Sequence, residues 1–534
     1  MTTATTTPNT ALAILDGGGE VRVRADARAE VGRAVLAYLD TIGTATGRET
    51  FYNSRADQEA AESAAHDGCW AVNRGLYAVL LALPGVTDRA VQAGVLRLLD
   101  NPLAPSDPSF LTFEQETRLV TTLARALPPQ RLYKLFGQFA TKRVNNRRTR
   151  TLVLRSILAT GPSLPWRAVK YRAKLRAALR HALGAGVANG VAKLTAAADP
   201  TACPEAKLAK YIDPFIPAWA NRDEVYQCVA FVLGAQREGG FTVPLLKAFA
   251  AARTDLAAGS ALPVEVLEGL RSRFHKDTRH AKVLEIANAA GTITEGQKLG
   301  MQRAAKAAGV EVAFDPTRQD MVKLYVYALE TGGMTADIRA ALDAKAKAAA
   351  AALPVRYANV GVVLDASASM AGSGTQKFRP LAVALAMRDV LVASATNSAF
   401  VDATGVLDEF GMVEPTGDTA LAGLIVKALK RHPDAVYVLT DGYENAPAGR
   451  VDEVLRAARA LGVTTPVFQV SPVMGAEAGG LRRLSDEMAP VPVARPEAVG
   501  LGMVRAVLTA DVEAGIRALL AITRPMIEAK NGGE

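Results

Sequence analysis

Cysteine is scarce in this chain: Cys69, Cys203 and Cys228 are the three among 534 residues. Their number and scatter exclude a disulfide framework and a cysteine-based zinc site. The five histidines do not compensate, since only His275 and His280 are near each other and no cysteine pair precedes them at zinc-finger spacing. Aromatic residues are also few, at 6 %, while Ala is abundant, a mixture that suits closely packed helices better than a β-sandwich. No run of about 18 uninterrupted apolar residues occurs, so no membrane span is expected. The opening MTTATTTPNTALAILDGGGE lacks a basic region followed by an apolar one, so no signal peptide is expected and the expected location is the cytoplasm. The P-loop spacing, GxGxxG and GxSxG are absent as well, which removes the commonest nucleotide cradles and the nucleophile elbow.

The most informative absence is local. From Thr117 to Ala198, between Glu116 and Asp199, 82 residues contain no Asp or Glu at all. Of the 62 Lys and Arg residues, 17 fall in this tract, so the rest of the chain holds 45 bases against 53 acids and the tract carries the whole +9 excess. KRVNNRRTRTLVLRSIL supplies Lys142, Arg143, Arg147, Arg148, Arg150 and Arg155; PWRAVKYRAKLRAALRHAL supplies Arg167, Lys170, Arg172, Lys174, Arg176 and Arg180. At 100° per residue Tyr171, Leu175, Ala178, Leu179 and Ala182 share one apolar arc. Arg172, Arg176 and Arg180 form a row beside it, with Arg167, Lys170 and Lys174 on the other flank. Like charges at i, i+4 weaken a helix, so a structural purpose for this row is hard to find. A polyanion partner is the better reading, and nucleic acid suits it better than a membrane, because the apolar arc is Ala-rich where bilayer insertion uses Trp, Phe or Leu. Tyr133, Trp166 and Tyr171 lie in the tract and read first as core side chains, with base stacking as the alternative.

What is present divides the chain. Hydrophobic residues at 49 % and charged residues at 22 % are enough for a sizeable core, and the length predicts two or more domains. Residues 1–20 read as a disordered N-terminus. Over 21–352 apolar residues recur at helical spacing with short Gly/Pro breaks, which predicts a HEAT-like helical-repeat domain, each helix pair needing neighbours to bury its face. After Leu353-Pro354 strand and helix signals alternate (ANVGVVLDAS, RPLAVALAMRDVLVASA, NSAFVDAT, PDAVYVLTDG, TTPVFQVS), predicting an α/β doubly wound, mainly parallel sheet over 353–495. Residues 496–534 read as a C-terminal helical tail.

The sharpest local motif is LDASASM, which sets Asp365, Ser367 and Ser369 directly after the first strand of the α/β region, where ligands of such sheets gather. A carboxylate and two hydroxyls are hard oxygen ligands suited to Mg²⁺ or another divalent cation that keeps several waters. GDTALAGLI offers Thr419 before a helix, with Thr416 as its rival, and VYVLTDGYEN offers Asp441 after an apolar strand. No His accompanies the serines, so the chemistry is that of a binding device and not of an enzyme; a nuclease reading would need further acids. Together DxSxS, Thr and Asp resemble the metal-ion-dependent adhesion site of von Willebrand factor A domains. The resemblance implies that Ser367, Ser369 and Thr419 coordinate through hydroxyls while Asp365 and Asp441 act directly or through water.

The junction FDPTRQDMVKLYVYALETGGM…IRAALDAKAKAAAAALPVRYANVGVVLDASASM is similar to the end of a TROVE module running into its von Willebrand A domain, the arrangement of the Ro autoantigen family. That resemblance implies a helical ring that binds small structured noncoding RNA (Y RNA) on a basic outer surface, admits the 3′ ends of misfolded RNA, and tethers an exoribonuclease through the RNA. It assigns no RNA-contacting residue to this chain; the basic surface of Lys142, Arg143, Arg147, Arg148, Arg150, Arg167, Lys170, Arg172, Lys174, Arg176 and Arg180 follows from charge alone. The alternative expectation is a metal-dependent protein-interaction module docking an acidic partner, such as a AAA+ ATPase component, without a specific RNA role.

Overall fold

The structure, a computed structural model, describes residues 12–13, 22–23, 27–44, 54–101, 103, 111–353, 356–372, 374, 377–472, 482–488, 490–493 and 495–528. The N-terminal segment expected to be disordered lies outside them, apart from a two-residue ribbon pairing Leu12–Ala13 with Arg22–Val23. The helices are α1 (Arg28–Thr44), α2 (Arg55–Val72), α3 (Arg74–Leu80), α4 (Asp88–Asp100), α5 (Phe113–Ala126), α6 (Pro129–Thr141), α7 (Arg147–Leu158), α8 (Leu164–Lys170), α9 (Arg172–Leu183), α10 (Ala185–Ala196) and α11 (Arg222–Leu233). They continue with α12 (Pro244–Ala251), α13 (Val264–Phe274), α14 (His280–Ala289), α15 (Glu295–Ala308), α16 (Met321–Thr331), α17 (Ala336–Ala351), α18 (Arg379–Ser394), α19 (Ala422–Leu429), α20 (Arg450–Ala460), α21 (Val499–Ala510) and α22 (Val512–Glu528). The described residues fall into two compact units, one within Met1–Gly94, Leu103–Val120 and Pro316–Glu534, the other within Val95–Pro102 and Thr121–Asp315. The texture change at Leu353 marks where strands begin; the compact units divide elsewhere.

The first unit holds a five-stranded sheet of β1 (Asn359–Leu364), β2 (Ser398–Ala403), β3 (Ala435–Leu439), β4 (Val467–Pro472) and β5 (Pro490–Val493), in the order β2-β1-β3-β4-β5 with every pair parallel. Val362 and Val363 of β1 are both fully buried, which requires cover on both faces and explains why these strands read as unbroken apolar runs. Val363, Val436 and Val438 pack with Ile425 of α19 and Val451 and Leu455 of α20; strand alternation turns Val362 and Leu364 to the opposite face. Helix α18 packs on β1, β2 and β4 and also on α16 and α17, and that double contact buries it nearly all round, from Pro380 to Leu391. The tail helices α21 and α22 pack on α1.

The second unit is helical among its described residues. Helix α9 packs on α6 and α7, and α11 on α8, α9 and α10. Asn146 starts α7 by accepting the Thr149 N–H at 3.0 Å, and Asn221 starts α11 in the same way through Glu224. Leu175, Ala178, Leu179 and Ala182 of the expected apolar arc are buried. The continuous basic helix expected over 165–183 is instead two helices, because the backbone breaks at Tyr171 (φ −117°, ψ 22°). The Tyr171 ring there packs edge-on against buried Tyr133, centroids 5.0 Å apart, a tertiary contact with no local breaker to announce it.

Candidate functional site

In the sheet order β2-β1-β3, the chain leaves β1 for one neighbour and returns on the other side as β3. The crevice beyond the carboxyl ends of β1 and β3 is therefore the topological switch point. Asp365 follows β1 and Asp441 follows β3 by two residues. The Asp365 N–H continues the ladder to the Leu439 carbonyl at 2.9 Å. Its carboxylate accepts the Ser367 N–H at 2.9 Å on Oδ1 and the Thr440 hydroxyl at 2.6 Å on Oδ2. The Ser367 and Ser369 hydroxyl oxygens are 3.1 Å apart.

Two more loops are stitched to this one. The Thr416 N–H donates to the Ala366 carbonyl and the Ala368 N–H to the Gly417 carbonyl, at 2.9 and 3.2 Å, which lays the loop carrying Thr419 alongside the serines. Thr419 is buried and its N–H donates to Asn445 Oδ1 at 2.8 Å; Thr416 is exposed. The Asp441 carboxylate accepts the Tyr443 N–H at 3.2 Å, a turn closed by its own side chain. Thr404 on the segment after β2 accepts the Ala366 N–H at 2.7 Å. Thr404, Thr440 and Asn445 hold the three loops together and were not singled out from the sequence. Thr440, adjacent to Asp441, was the most accessible of them to a sequence reading, whereas Asn445 has no fixed offset to suggest it.

Asp365 is fully buried. Burial pushes its carboxyl above the usual range, and the hydrogen bonds from Thr440 and Ser367 pull against that shift. Among the described residues no group of three or more His, Cys, Asp or Glu side chains comes together; the oxygen groups these loops carry are the Asp365 and Asp441 carboxylates and the Ser367, Ser369 and Thr419 hydroxyls. That set fits a hard, well-hydrated divalent cation and not zinc, and a cation beside Asp365 would favour its ionised form. On the same rim, the Arg482 guanidinium lies 3.4 Å over the Tyr443 ring.

The basic tract is used unevenly. Arg172 Nε donates to the Phe231 carbonyl at 2.9 Å with its guanidinium 4.1 Å over the Phe231 ring, and Arg176 Nε donates to the Val232 carbonyl at 2.7 Å. Both cations therefore cap the last carbonyls of α11, where unsatisfied oxygens and the helix dipole favour positive charge. This is the structural purpose that the sequence row did not reveal. Burial lowers the pKa of Arg172, and its neighbours Arg176 and Arg253 lower it further. Lys170 pairs with Glu265 at 2.7 Å, an acid from outside the tract; Arg148 and Arg167 are half-buried. Lys142, Arg143, Arg147, Arg150, Lys174 and Arg180 are exposed. Lys142 has Asp100 at 3.9 Å and Arg180 reaches Asn189 at 3.3 Å. The loop before α7 is pinned to the end of α9 by Asn145 donating to the His181 carbonyl at 3.0 Å and by His181 Nε2 within 2.9 Å of the Val144 carbonyl. Those bonds hold the loop that carries Lys142 and Arg143 against the last turn of α9, which carries Arg180. Tyr133 is core at 2 % exposure; Trp166 and Tyr171 are half-buried.

No family model and no curated protein matches the chain. It is similar to a solved Ro protein. That structure is the Ro (RSR) protein of Deinococcus radiodurans, at 16 % identity, with 90 % of this chain and 93 % of that one covered and a TM-score of 0.32. So distant a pairing leaves the functional case to the residues of this chain. No helix among the described residues is long and apolar enough to cross a membrane.

Proposed function

We propose that this protein is a non-catalytic RNA-binding scaffold of the Ro type, which takes small structured noncoding RNA on the exposed cations of α7, α9 and the loop before α7. The observation that carries the reading is the tract of 82 residues without an acid, whose exposed members are Lys142, Arg143, Arg147, Arg150, Lys174 and Arg180, Lys142 having Asp100 at 3.9 Å. Contacts there are expected mainly to phosphate, with RNA shape recognised in preference to base sequence. The resemblance at the TROVE–von Willebrand A junction supports the same partner and adds misfolded RNA 3′ ends and an RNA-tethered exoribonuclease as further partners.

The test is a titration with a small structured RNA and a matched DNA duplex at two salt concentrations. Six to ten phosphate contacts lose about 10³–10⁵ in affinity between roughly 50 and 200 mM salt. Charge reversal of Arg147, Arg150, Lys174 and Arg180 to Glu is expected to abolish RNA binding while leaving the fold intact, since none of the four caps a helix. Equal, weak binding to both nucleic acids, or full affinity in the reversed variant, would overturn the assignment.

A second reading concerns the other unit and is favoured by the three loops stitched around Asp365. Ser367, Ser369, Thr419, Asp365 and Asp441 would hold Mg²⁺ or another divalent cation, whose chemistry is to offer an electrophilic centre to a partner's carboxylate or phosphate oxygen. Docking of an acidic protein, such as a AAA+ ATPase component, would use that centre and would be lost in EDTA.

A further inference from the structure

The chain has three tryptophans, Trp70, Trp166 and Trp219. Trp70 and Trp166 are half-buried, whereas Trp219 is 68 % exposed, the most exposed aromatic ring among the described residues. An indole left in water forgoes the largest apolar contribution any side chain offers, so its position calls for a reason.

Trp219 is nevertheless held in place. The far edge of its ring rests on Gly161, in the loop between α7 and α8: a Cβ at Gly161 would lie 2.8 Å from Cη2 of the indole. Gly161 also has φ +58°, a left-handed backbone that other residues rarely adopt. The ring is thus fixed at one edge with its surface open. Its chain neighbours Ile216, Pro217, Ala218 and Ala220 line a hollow together with Asp213 and Arg222, a hollow to which the indole itself does not contribute. The one carboxylate of that hollow is not bare, because Asp213 accepts from the Tyr226 hydroxyl at 2.7 Å and pairs with Arg222. Helix α7, which carries the exposed Arg147, Arg150 and Arg155, packs on the turn Asp213–Phe215 and ends directly before the Gly161 loop.

We propose that Trp219 is a stacking platform for one unpaired base of a single-stranded RNA segment whose phosphates run along the exposed arginines of α7. The proposal rests on the RNA-binding reading above and narrows it to a place where a strand must be unpaired, because an indole stacks on a splayed base and not on a paired one. An open aromatic face beside a cationic helix is the combination that non-specific single-strand binders use.

The experiment measures binding of the full chain to a fluorescent single-stranded oligouridine and to an RNA hairpin without overhangs, with intrinsic fluorescence followed in parallel. Oligouridine is expected to quench the wild-type tryptophan emission. Trp219→Ala is expected to weaken oligouridine binding about tenfold, within the range for one base–aromatic stack, with hairpin affinity and the salt slope unchanged. Trp219→Phe is expected to recover most of the loss. Since the side chain is exposed, neither variant threatens folding. Wild-type affinity for oligouridine in Trp219→Ala, or an indole shielded by concentration-dependent self-association and not by RNA, would overturn the stacking role alone. A wild type that binds neither RNA would overturn the RNA-binding reading as well.

Discussion

Arginines 172 and 176 differ in kind from Arg147 and Arg150, although the sequence writes them alike. The first two donate to the terminal carbonyls of α11; removing either leaves an acceptor unsatisfied at a cost of about 1–3 kcal/mol. Arg172→Ala and Arg176→Ala are therefore expected to lower the unfolding midpoint in urea, while Arg147→Ala and Arg150→Ala lower only RNA affinity. Equal stability of all four variants would refute the capping role. At the other unit, Asp365 is the residue on which the cation reading turns. Mg²⁺ in large excess is expected to raise the thermal midpoint of the wild type, about 2.7 kcal/mol of stabilisation at 100 times the dissociation constant, and to leave Asp365→Asn unmoved. A wild-type midpoint indifferent to Mg²⁺, Mn²⁺ and EDTA would remove the metal.

Among the elements, α18 is the hinge of the first unit's packing, since it serves the sheet on one side and α16 and α17 on the other. A buried polar network makes that joint specific. Asp389 of α18 accepts the Tyr325 hydroxyl from α16 and the Arg339 guanidinium from α17, the latter at 2.5 Å, and Arg388 at 2.7 Å. Arg339 also donates to the Tyr325 oxygen at 2.7 Å. Asp389→Ala would leave the buried Arg388 guanidinium without its carboxylate, while the half-buried Arg339 keeps Asp343, a loss on the order of 3–5 kcal/mol, and is expected to loosen α16 and α17 together. Hydrogen exchange resolves this: increased exchange in 321–351 as well as in α18 supports the joint, and exchange confined to α18 would contradict it. The helix pair α16–α17 is the segment whose sequence resembles the end of a TROVE module, and in the structure these side chains anchor it to α18.

For the whole molecule, the buried tyrosines set an alkaline limit. Burial raises Tyr38, Tyr325 and Tyr437 above the ordinary phenol value, with Tyr77 adding to the first, Asp389 to the second and Tyr357 to the third. An unfolded phenol releases its proton near pH ~10, while the folded one keeps it to higher pH. Above that point the folded state binds more protons than the unfolded state, so stability falls as pH rises; below it the contribution is complete. The phenolate absorbance of these three residues is expected to appear together with loss of the helical circular dichroism signal. Their titration near pH ~10 in a chain that keeps its helicity would show the burial to be wrong.

How much of this was legible beforehand depends on the range of the interaction responsible. Hydrophobic periodicity is local, so the helices up to Ala351, the parallel strands after it and the apolar arc of α9 could be read from the chain, as could the acid-free tract and the DASAS loop. The sequence set the motif directly after a strand; that this strand end is the switch point depends on the strand order β2-β1-β3, which only the structure supplies. Tertiary structure alone also decided the partners. Nothing in the residues near Arg172 announces that the end of α11, some sixty residues on, will take its N–H, and no local breaker marks Tyr171, where packing on Tyr133 parts α8 from α9. The same holds for Trp219, one edge of whose ring rests against Gly161, far away in sequence. A side chain's type and spacing fix what it is able to do, whereas its solvent and its neighbours, which decide whether it caps a helix, holds a loop or faces a ligand, exist only once distant segments have packed.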